Sequence, residues 1–438
     1  MKSSTDIKRQ VEKELAELSL FGSKPGLDRI KQLLKKLGNP ERDLKCIHIA
    51  GTNGKGSTSL IVGSVLSAAG YKVGRFTSPH LYSYFERITI NEYEIEPSIL
   101  MDYLYNVKNH AKSLEDEGHE YPTEFEILTA IALKCFKDYK VDIAILEVGM
   151  GGIYDSTNVI ESPLVSVITS IGCDHTQYLG DTLKEIAHNK AGIIKTNVPV
   201  VTGEINDDAL SVIRKRATQL NARLFHANEI KIKLLKPPDL SGFTIDIKGL
   251  SINIESVKIS LLGDFQLTNI SVSILVLEIL KNNGYKITNE IIAKTFPSLK
   301  HPGRLEIVSN NPLVIVDVAH NPQGSQALAR SLETLLPNKK KVLVCGFLDD
   351  KDIQENLKPL GNKTKICIIT KPKSHRSSNW HNIAFIWQQE FPHIKFIVEE
   401  NIQRAVEKGF SLVGTGEYLL IAGSFYLLSE ARQLFVQN

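Results

Sequence analysis

Apolar positions along the chain fall into two alternating rhythms. Leu27, Ile30, Leu33 and Leu34 recur at helical spacing and stop at Gly38-Asn39-Pro40, residues that break a helix. Cys46 to Ala50 follows as an apolar run of strand length, and a glycine-rich turn comes directly after it. Leu60, Ile61, Val65 and Leu66 then mark a helix ending near Gly70. The alternation continues with a strand from Tyr71 to Thr77 and a helix carrying Phe125, Leu128, Thr129, Ala132, Leu133 and Phe136. Two more strands run from Asp142 to Val148 and from Leu164 to Ile171. Continuous apolar strands separated by amphipathic helices predict a mostly parallel sheet covered on both faces.

Between Ile230 and Leu262 the rhythm shortens to period two, as in IKIKLL and FTIDI, which predicts a small antiparallel β extension. A helix from about Asp264 to Leu280 closes this segment. Proline and glycine at Phe296-Pro297 and Pro302-Gly303 mark a break, and a second α/β series begins beyond it. It comprises strands at Leu313–Val318, Lys341–Phe347, Lys365–Thr370 and Tyr418–Ala422, a helix from Ser325 to Leu336 and a terminal helix. Two α/β domains are expected, over 1–297 and 298–438. Neither part shows a fixed-period repeat or low-complexity run.

Composition narrows the class. Of 438 residues 42% are apolar and 23% charged, enough for packed cores and unlike a disordered chain. Lys and Arg exceed Asp and Glu by 52 − 49 = +3, which gives no electrostatic footprint for nucleic acid or a membrane surface. Cys46, Cys135, Cys173, Cys345 and Cys367 are scattered without a CxxC pair, as in a reducing compartment. The opening MKSSTDIKRQVEKELAEL has no apolar segment of a secretory signal. The nearly apolar stretch Tyr418–Leu428 is shorter than the roughly 18 residues of a membrane span. A cytoplasmic protein without nucleic-acid or membrane partners is expected.

The turn after Ala50 reads Gly51-Thr52-Asn53-Gly54-Lys55-Gly56-Ser57. Glycines let successive N–H groups point at one anion, the helix N-terminus adds positive charge, and Lys55 reaches β- and γ-phosphates. Ser57 or Thr58 can touch a bound Mg²⁺, although Gly56 stands where the strict pattern has Ser or Thr. The competing reading is a glycine turn with an exposed lysine. Ligands of parallel sheets bind beyond the carboxyl ends of the strands. Ser78 and His80, Glu147, and Asp174 and His175 all fall at such ends, a set able to hold Mg²⁺ against phosphate. Lys190 shares a helical stripe with Leu183, Ile186, Ala187, Ala191 and Ile194. Taken alone it reads either as a desolvated amine or as a stem snorkelling to solvent.

The segments CIHIAGTNGKGS, GYKVGRFTSPHL, ERITIN, LEVGMGG, DHTQYLGDTLKEIAHNKAGIIK, HPGRLE and DVAHNP stand in an order and spacing that resembles the folylpolyglutamate synthase/dihydrofolate synthase family of Mur-type ATP-dependent amide ligases. The resemblance runs from about Leu18 to the C-terminus. It implies a P-loop ATPase domain of mostly parallel sheet with the small antiparallel extension, followed by a smaller Rossmann-like domain that handles glutamate. It also implies ATP binding by Thr52, Asn53, Gly54, Lys55, Gly56, Ser57, Asn269, Arg304 and Asp317, with His320 in a catalytic loop. Mg²⁺ would be held by Ser78, Glu147 and His175, and Lys190 would be carbamylated. The pteroate site would comprise Thr123, Glu124, Phe125, Glu126, Tyr154, Asp155 and Ser156. The chain departs from the family at Ile153, Asn189, Phe265 and Val318, where Arg, Glu, His and Gly are usual.

The activity implied is ligation of L-glutamate to dihydropteroate or to the terminal glutamate of reduced folates through an acyl phosphate, by a monomer that uses ATP and Mg²⁺. Three other readings are weighed beside it. A cell-wall amino-acid ligase shares the loop but carries a nucleotide-sugar domain ahead of it. A generic P-loop kinase leaves the second domain and Lys190 without a role. A non-catalytic or differently specific paralogue is compatible with Ile153.

Overall fold

A computed structural model of the chain describes residues 3–19, 22 and 24–436. The outermost residues of the two expected domains, 1–2 and 437–438, lie outside these. The chain forms two compact units: Met1–Ile232 with Ile247–Glu255 and Thr268–Phe296, and Lys233–Asp246 with Ser256–Leu267 and Pro297–Asn438.

The first unit is built on eight strands: β1 (Cys46–Ala50), β2 (Val73–Phe76), β3 (Ile88–Ile90), β4 (Tyr93–Glu94), β5 (Ile143–Glu147), β6 (Val165–Ile168), β7 (Val200–Thr202) and β8 (Leu224–His226). Their order is β4-β3-β2-β5-β1-β6-β7-β8. Pairing is parallel from β2 to β8, and β3 and β4 add an antiparallel margin. Every residue of β1, β5 and β6 is buried, as apolar runs covered on both faces require. Register brings the strand ends level, with Ile49 beside Glu147, Ala50 beside Ile168 and Phe76 beside Leu146. The glycine loop therefore emerges at the middle of the carboxyl edge, flanked by the chain leaving β5 and β6.

Ten helices of this part are α1 (Ser4–Ser19), α2 (Asp28–Lys36), α3 (Lys55–Ala68), α4 (Pro97–Asp116), α5 (Glu124–Asp138), α6 (Thr176–Leu179), α7 (Leu183–Ala191), α8 (Asp207–Gln219), α9 (Phe265–Asn282) and α10 (Asn289–Thr295). Residues of α1, α2, α4 and α5 share one core with Phe76 and Leu146, while α7 and α8 build another with Ile168 and Val200. The charged N-terminal run forms a helix because Val11, Leu15 and Leu18 line up three to four residues apart and bury on one side. Strands β7 and β8 are three residues each, too short to stand out as apolar runs.

The period-two segment forms a sheet of order β11-β10-β9 from β9 (Lys231–Leu234), β10 (Phe243–Lys248) and β11 (Asn253–Ile259). The second unit holds a six-stranded sheet of β12 (Glu306–Asn310), β13 (Leu313–Asp317), β14 (Lys341–Cys345), β15 (Thr364–Ile369), β16 (Lys395–Val398) and β17 (Tyr418–Ala422), in order β12-β13-β17-β14-β15-β16. Only β12 runs antiparallel. Helices α11 (Pro322–Leu335), α12 (Ile353–Gly361), α13 (Asn382–Glu390), α14 (Ile402–Leu412) and α15 (Phe425–Ala431) belong to it, and one core joins Ile315, Leu343, Phe347 and Trp387. Both units are thus α/β. Among the described residues, no helix is long and apolar enough to cross a membrane.

Candidate active site

The glycine loop has a shape that only its own residues allow. Gly51 has φ 150°, and a side-chain carbon there would lie 1.9 Å from Thr169 Oγ1. Gly54, with φ 89°, precedes α3, and a carbon on it would lie 2.4 Å from Asn269 Oδ1. Asn269 of α9 is thereby placed against the loop. The segment after β6 braces it: Thr52 N donates to Ser170 O (2.7 Å), Gly172 N donates to Thr52 Oγ1 (2.9 Å), and Thr169 Oγ1 donates to Asn53 O (2.6 Å). Gly51→Ala must push Thr169 off Asn53. It is expected to weaken binding of a non-hydrolysable ATP analogue about tenfold or more, read by titration calorimetry.

Two lysines converge on one carbonyl. Lys55 Nζ donates to Gly51 O (3.0 Å) and Thr52 O (3.3 Å) and stands 3.9 Å from Glu147 Oε1. Lys190 Nζ donates to the same Gly51 O at 3.0 Å and is buried. Burial pulls the Lys190 ammonium down to about 7, the Lys55 charge pulls the same way, and Asp174 and Asp155 oppose them. The stripe lysine therefore faces inward. Gly56 and Ser57 form the first turn of α3, with Ser57 buried.

Ser78 leaves β2 and Glu147 ends β5, on neighbouring strands; His175 follows β6 and precedes α6 with φ 52°. His175 Nε2 is 3.9 Å from Asp174 Oδ1. The Ser78 hydroxyl oxygen is buried without a hydrogen-bond partner, and Glu147 is buried with a cation on one side. Among the described residues no three His, Cys, Asp or Glu side chains gather as a metal cluster. A serine oxygen lacking a hydrogen-bond partner and a buried carboxyl group, at the ends of neighbouring strands by a phosphate loop, fit a hard divalent cation that would complete its shell with water and phosphate.

The residues expected to hold pteroate divide into two kinds. Thr123 and Glu126 cap α5: Glu126 Oε2 accepts from Thr123 N (2.8 Å) and Oγ1 (2.9 Å), and Arg29 Nε donates to it at 3.1 Å. Phe125 stacks on Phe76 with ring centres 5.5 Å apart and covers Gly149. Asp155 is buried and takes N–H bonds from Gly149 and Met150, and Ser156 Oγ meets Thr129 Oγ1 at 2.6 Å. Tyr154, which is exposed, is the other kind, and Glu124 stands between the two, its Oε1 3.6 Å from Arg87 Nη1. Arg29 and Arg87 were not legible as site residues, because each meets its carboxylate across more than thirty residues of chain.

In the second unit, Asp317 ends β13, buried, and accepts from Leu305 N and Ala319 N, both at 2.7 Å. Burial raises its carboxyl above the ordinary value, with Arg304 the leading counterweight. Arg304 lies over the Phe425 ring at 5.2 Å, and His320, whose Nδ1 is 2.9 Å from Val318 O, packs on the same ring at 5.7 Å. Arg304, Asp317 and His320 thus form one group at the carboxyl edge of that sheet.

Family comparison agrees with this layout. Residues 49–277 match the Mur ligase middle domain, and residues 303–425 match the Mur ligase, glutamate ligase domain. The loop, the sheet and the second unit are those of a Mur-type ligase. Dihydrofolate synthase/folylpolyglutamate synthase of Bacillus subtilis is 37% identical over 423 residues, 94% of this chain and 95% of that one. Dihydrofolate synthetase of Saccharomyces cerevisiae is 31% identical over 92% of this chain and 96% of its own. The structure of Mycobacterium tuberculosis folylpolyglutamate synthase complexed with ADP superposes with TM-score 0.91 at 30% identity, covering 100% of both chains. The chain belongs to the dihydrofolate synthase/folylpolyglutamate synthase family. None of these matches favours a kinase, a cell-wall ligase or a paralogue without activity.

Proposed function

We propose that this chain joins L-glutamate to dihydropteroate, to the terminal glutamate of reduced folates, or to both, at the expense of ATP. The observation that carries the reading is the pair of lysines, Lys55 and Lys190, pinned to Gly51 O beside Glu147 at the centre of a parallel-sheet edge. A free carboxylate resists attack by an amine. Its oxygen therefore first takes the γ-phosphoryl group of ATP, with ADP leaving. The glutamate amine then attacks the acyl carbon, phosphate departs, and the nitrogen gives up its proton.

Loop N–H groups and Lys55 bind and orient the triphosphate through Thr52 to Ser57, with Asn269 alongside. Lys55 places positive charge where the transferred group bears negative charge. Ser78, Glu147 and His175 would hold Mg²⁺, which when bound neutralises phosphate charge. Lys190, neutral in part near pH 7, is suited to add CO₂, forming an N–C bond and releasing one proton to become an anionic carbamate. Arg304, Asp317 and His320 are assigned to nucleotide and catalytic contacts of the second unit. Residues 1–297 would carry the ATP and pteroate sites and 298–438 the glutamate site, in a cytoplasmic monomer.

A product assay with ATP and glutamate, offered dihydropteroate and tetrahydrofolate in separate tubes, tests this. Phosphate release requiring both glutamate and a pteroate, with a product heavier by one glutamyl residue, is expected. Release indifferent to both, or none with either, overturns the reading.

A further inference from the structure

A single-turn 3-10 helix, Ser156–Val159, follows Asp155, and its polar residues reach three elements of the site. Asp155 Oδ2 accepts from Gly149 N and Met150 N, both at 3.0 Å, holding the turn just beyond Glu147. Asn158 Nδ2 donates to Ile153 O (3.0 Å) and Gly192 O (3.3 Å), and Ile153 N donates to Asn189 O (3.0 Å), so that turn is tied to the end of α7 around Lys190. Gly152 sits so close to α7 that a carbon on it would be 2.6 Å from Asn189 O and 2.9 Å from Lys190 O. Thr157 Oγ1 meets Asp155 Oδ1 at 2.5 Å and His48 Nε2 at 2.8 Å. His48 lies inside β1, two residues before the end of the strand that carries the glycine loop.

Proton count fixes the direction of this chain of bonds. A hydroxyl has one proton; burial pushes the Asp155 carboxyl up, but the three N–H donors facing it favour the ionised form, which only accepts. Thr157 therefore gives its proton to Asp155 and accepts from His48 Nε2–H. His48 is the Nε2–H tautomer, and its buried Nδ1 has no hydrogen-bond partner. A fully buried imidazole with one bare nitrogen costs desolvation that an aliphatic residue in β1 would avoid. Its return is a fixed donor in the central strand. We infer that His48 and Thr157 are positioning residues: through Asp155 they set the Gly149–Gly152 turn and hence the relative placement of Glu147 and Lys190.

The kinetic half of the test rests on the ligase reading; the exchange half does not. Thr157→Val and His48→Leu remove the donor chain, whereas Thr157→Ser and His48→Gln keep a hydroxyl and an N–H in place. Thr157→Val and His48→Leu are expected to lose about tenfold or more in kcat with KM for ATP changed less than about twofold, and the conservative pair to stay within about threefold. Amide hydrogen exchange at Gly149 and Met150 should quicken about tenfold in Thr157→Val and not in Thr157→Ser. Should His48→Leu fail to fold, the two Thr157 variants decide the matter. A wild-type enzyme without glutamate ligation sinks the ligase reading alone, and exchange still judges the positioning. Wild-type exchange in Thr157→Val overturns the inference, and so does equal damage from serine and valine, which would mean that shape and not the hydroxyl matters.

Discussion

Lys190→Ala is expected to lower kcat for glutamate ligation by about a thousandfold or more while ATP-analogue binding changes little. The side chain is buried, so it does not serve solubility, and its amine reaches Gly51 O at the base of the phosphate loop. Alanine removes the amine that takes up CO₂, so added bicarbonate should restore nothing. In the wild-type enzyme, CO₂ uptake requires the uncharged amine, whose share grows as pH rises through about 7. Enzyme stripped of CO₂ at low pH should therefore regain activity faster at pH 8 than at pH 6 when carbonate is returned, with dissolved CO₂ held equal. ¹³C NMR with labelled bicarbonate gives the direct readout: a carbamate signal in the wild type and none in the alanine variant. The same depressed value has a sign in stability. Between about 7 and the ordinary lysine value of 10.5 the unfolded chain binds more protons, so stability contributed at this position rises with pH and is lowest below about 7. Full activity in Lys190→Ala would remove the carbamate from the mechanism.

What could be read in advance follows from how local each signal is. The strands β1, β5 and β6 were legible because all their residues are buried and most are apolar, with His48, Glu147 and Ser166 the exceptions. The glycine loop was legible because φ 150° at Gly51 and φ 89° at Gly54 demand glycine itself. The inward aim of Lys190 was only half legible: its stripe is apolar, but a long stem on such a stripe can equally snorkel, and the family resemblance decided between them. Helix α1 was masked by its charge, and β7 and β8 by their length. The expected pteroate residues show another limit. Thr123 and Glu126 satisfy the Thr-x-x-Glu spacing of a capping box, so their local duty was written in the spacing itself. Arg29, which also holds Glu126, is 97 positions away, and no periodicity links residues so distant. Braces such as Thr169 on Asn53 and Thr157 on His48 share that property: each is made by strand order, which places segments remote in sequence at one sheet edge.

Lys55→Met carries the second large expected effect, and it reaches beyond the phosphate. Lys55 lies between Gly51 O, Thr52 O and the Glu147 carboxylate. Methionine keeps the stem and deletes the charge, so kcat should fall by about a thousandfold through loss of charge neutralisation at the transferred phosphoryl group. Glu147 then loses a neighbouring cation, and Lys190 loses a neighbour whose charge holds its amine down. The sign follows: without Lys55 the Lys190 ammonium titrates higher, its neutral share at pH 7 shrinks, and the pH midpoint of CO₂ uptake moves upward. The carbamate signal of Lys55→Met, followed by ¹³C NMR across pH 6 to 9, should rise at higher pH than in the wild type even though the variant turns over little. A midpoint that stays put, in a variant whose kcat has collapsed, would mean that Lys55 acts on phosphate alone and that the two lysines do not share one electrostatic field.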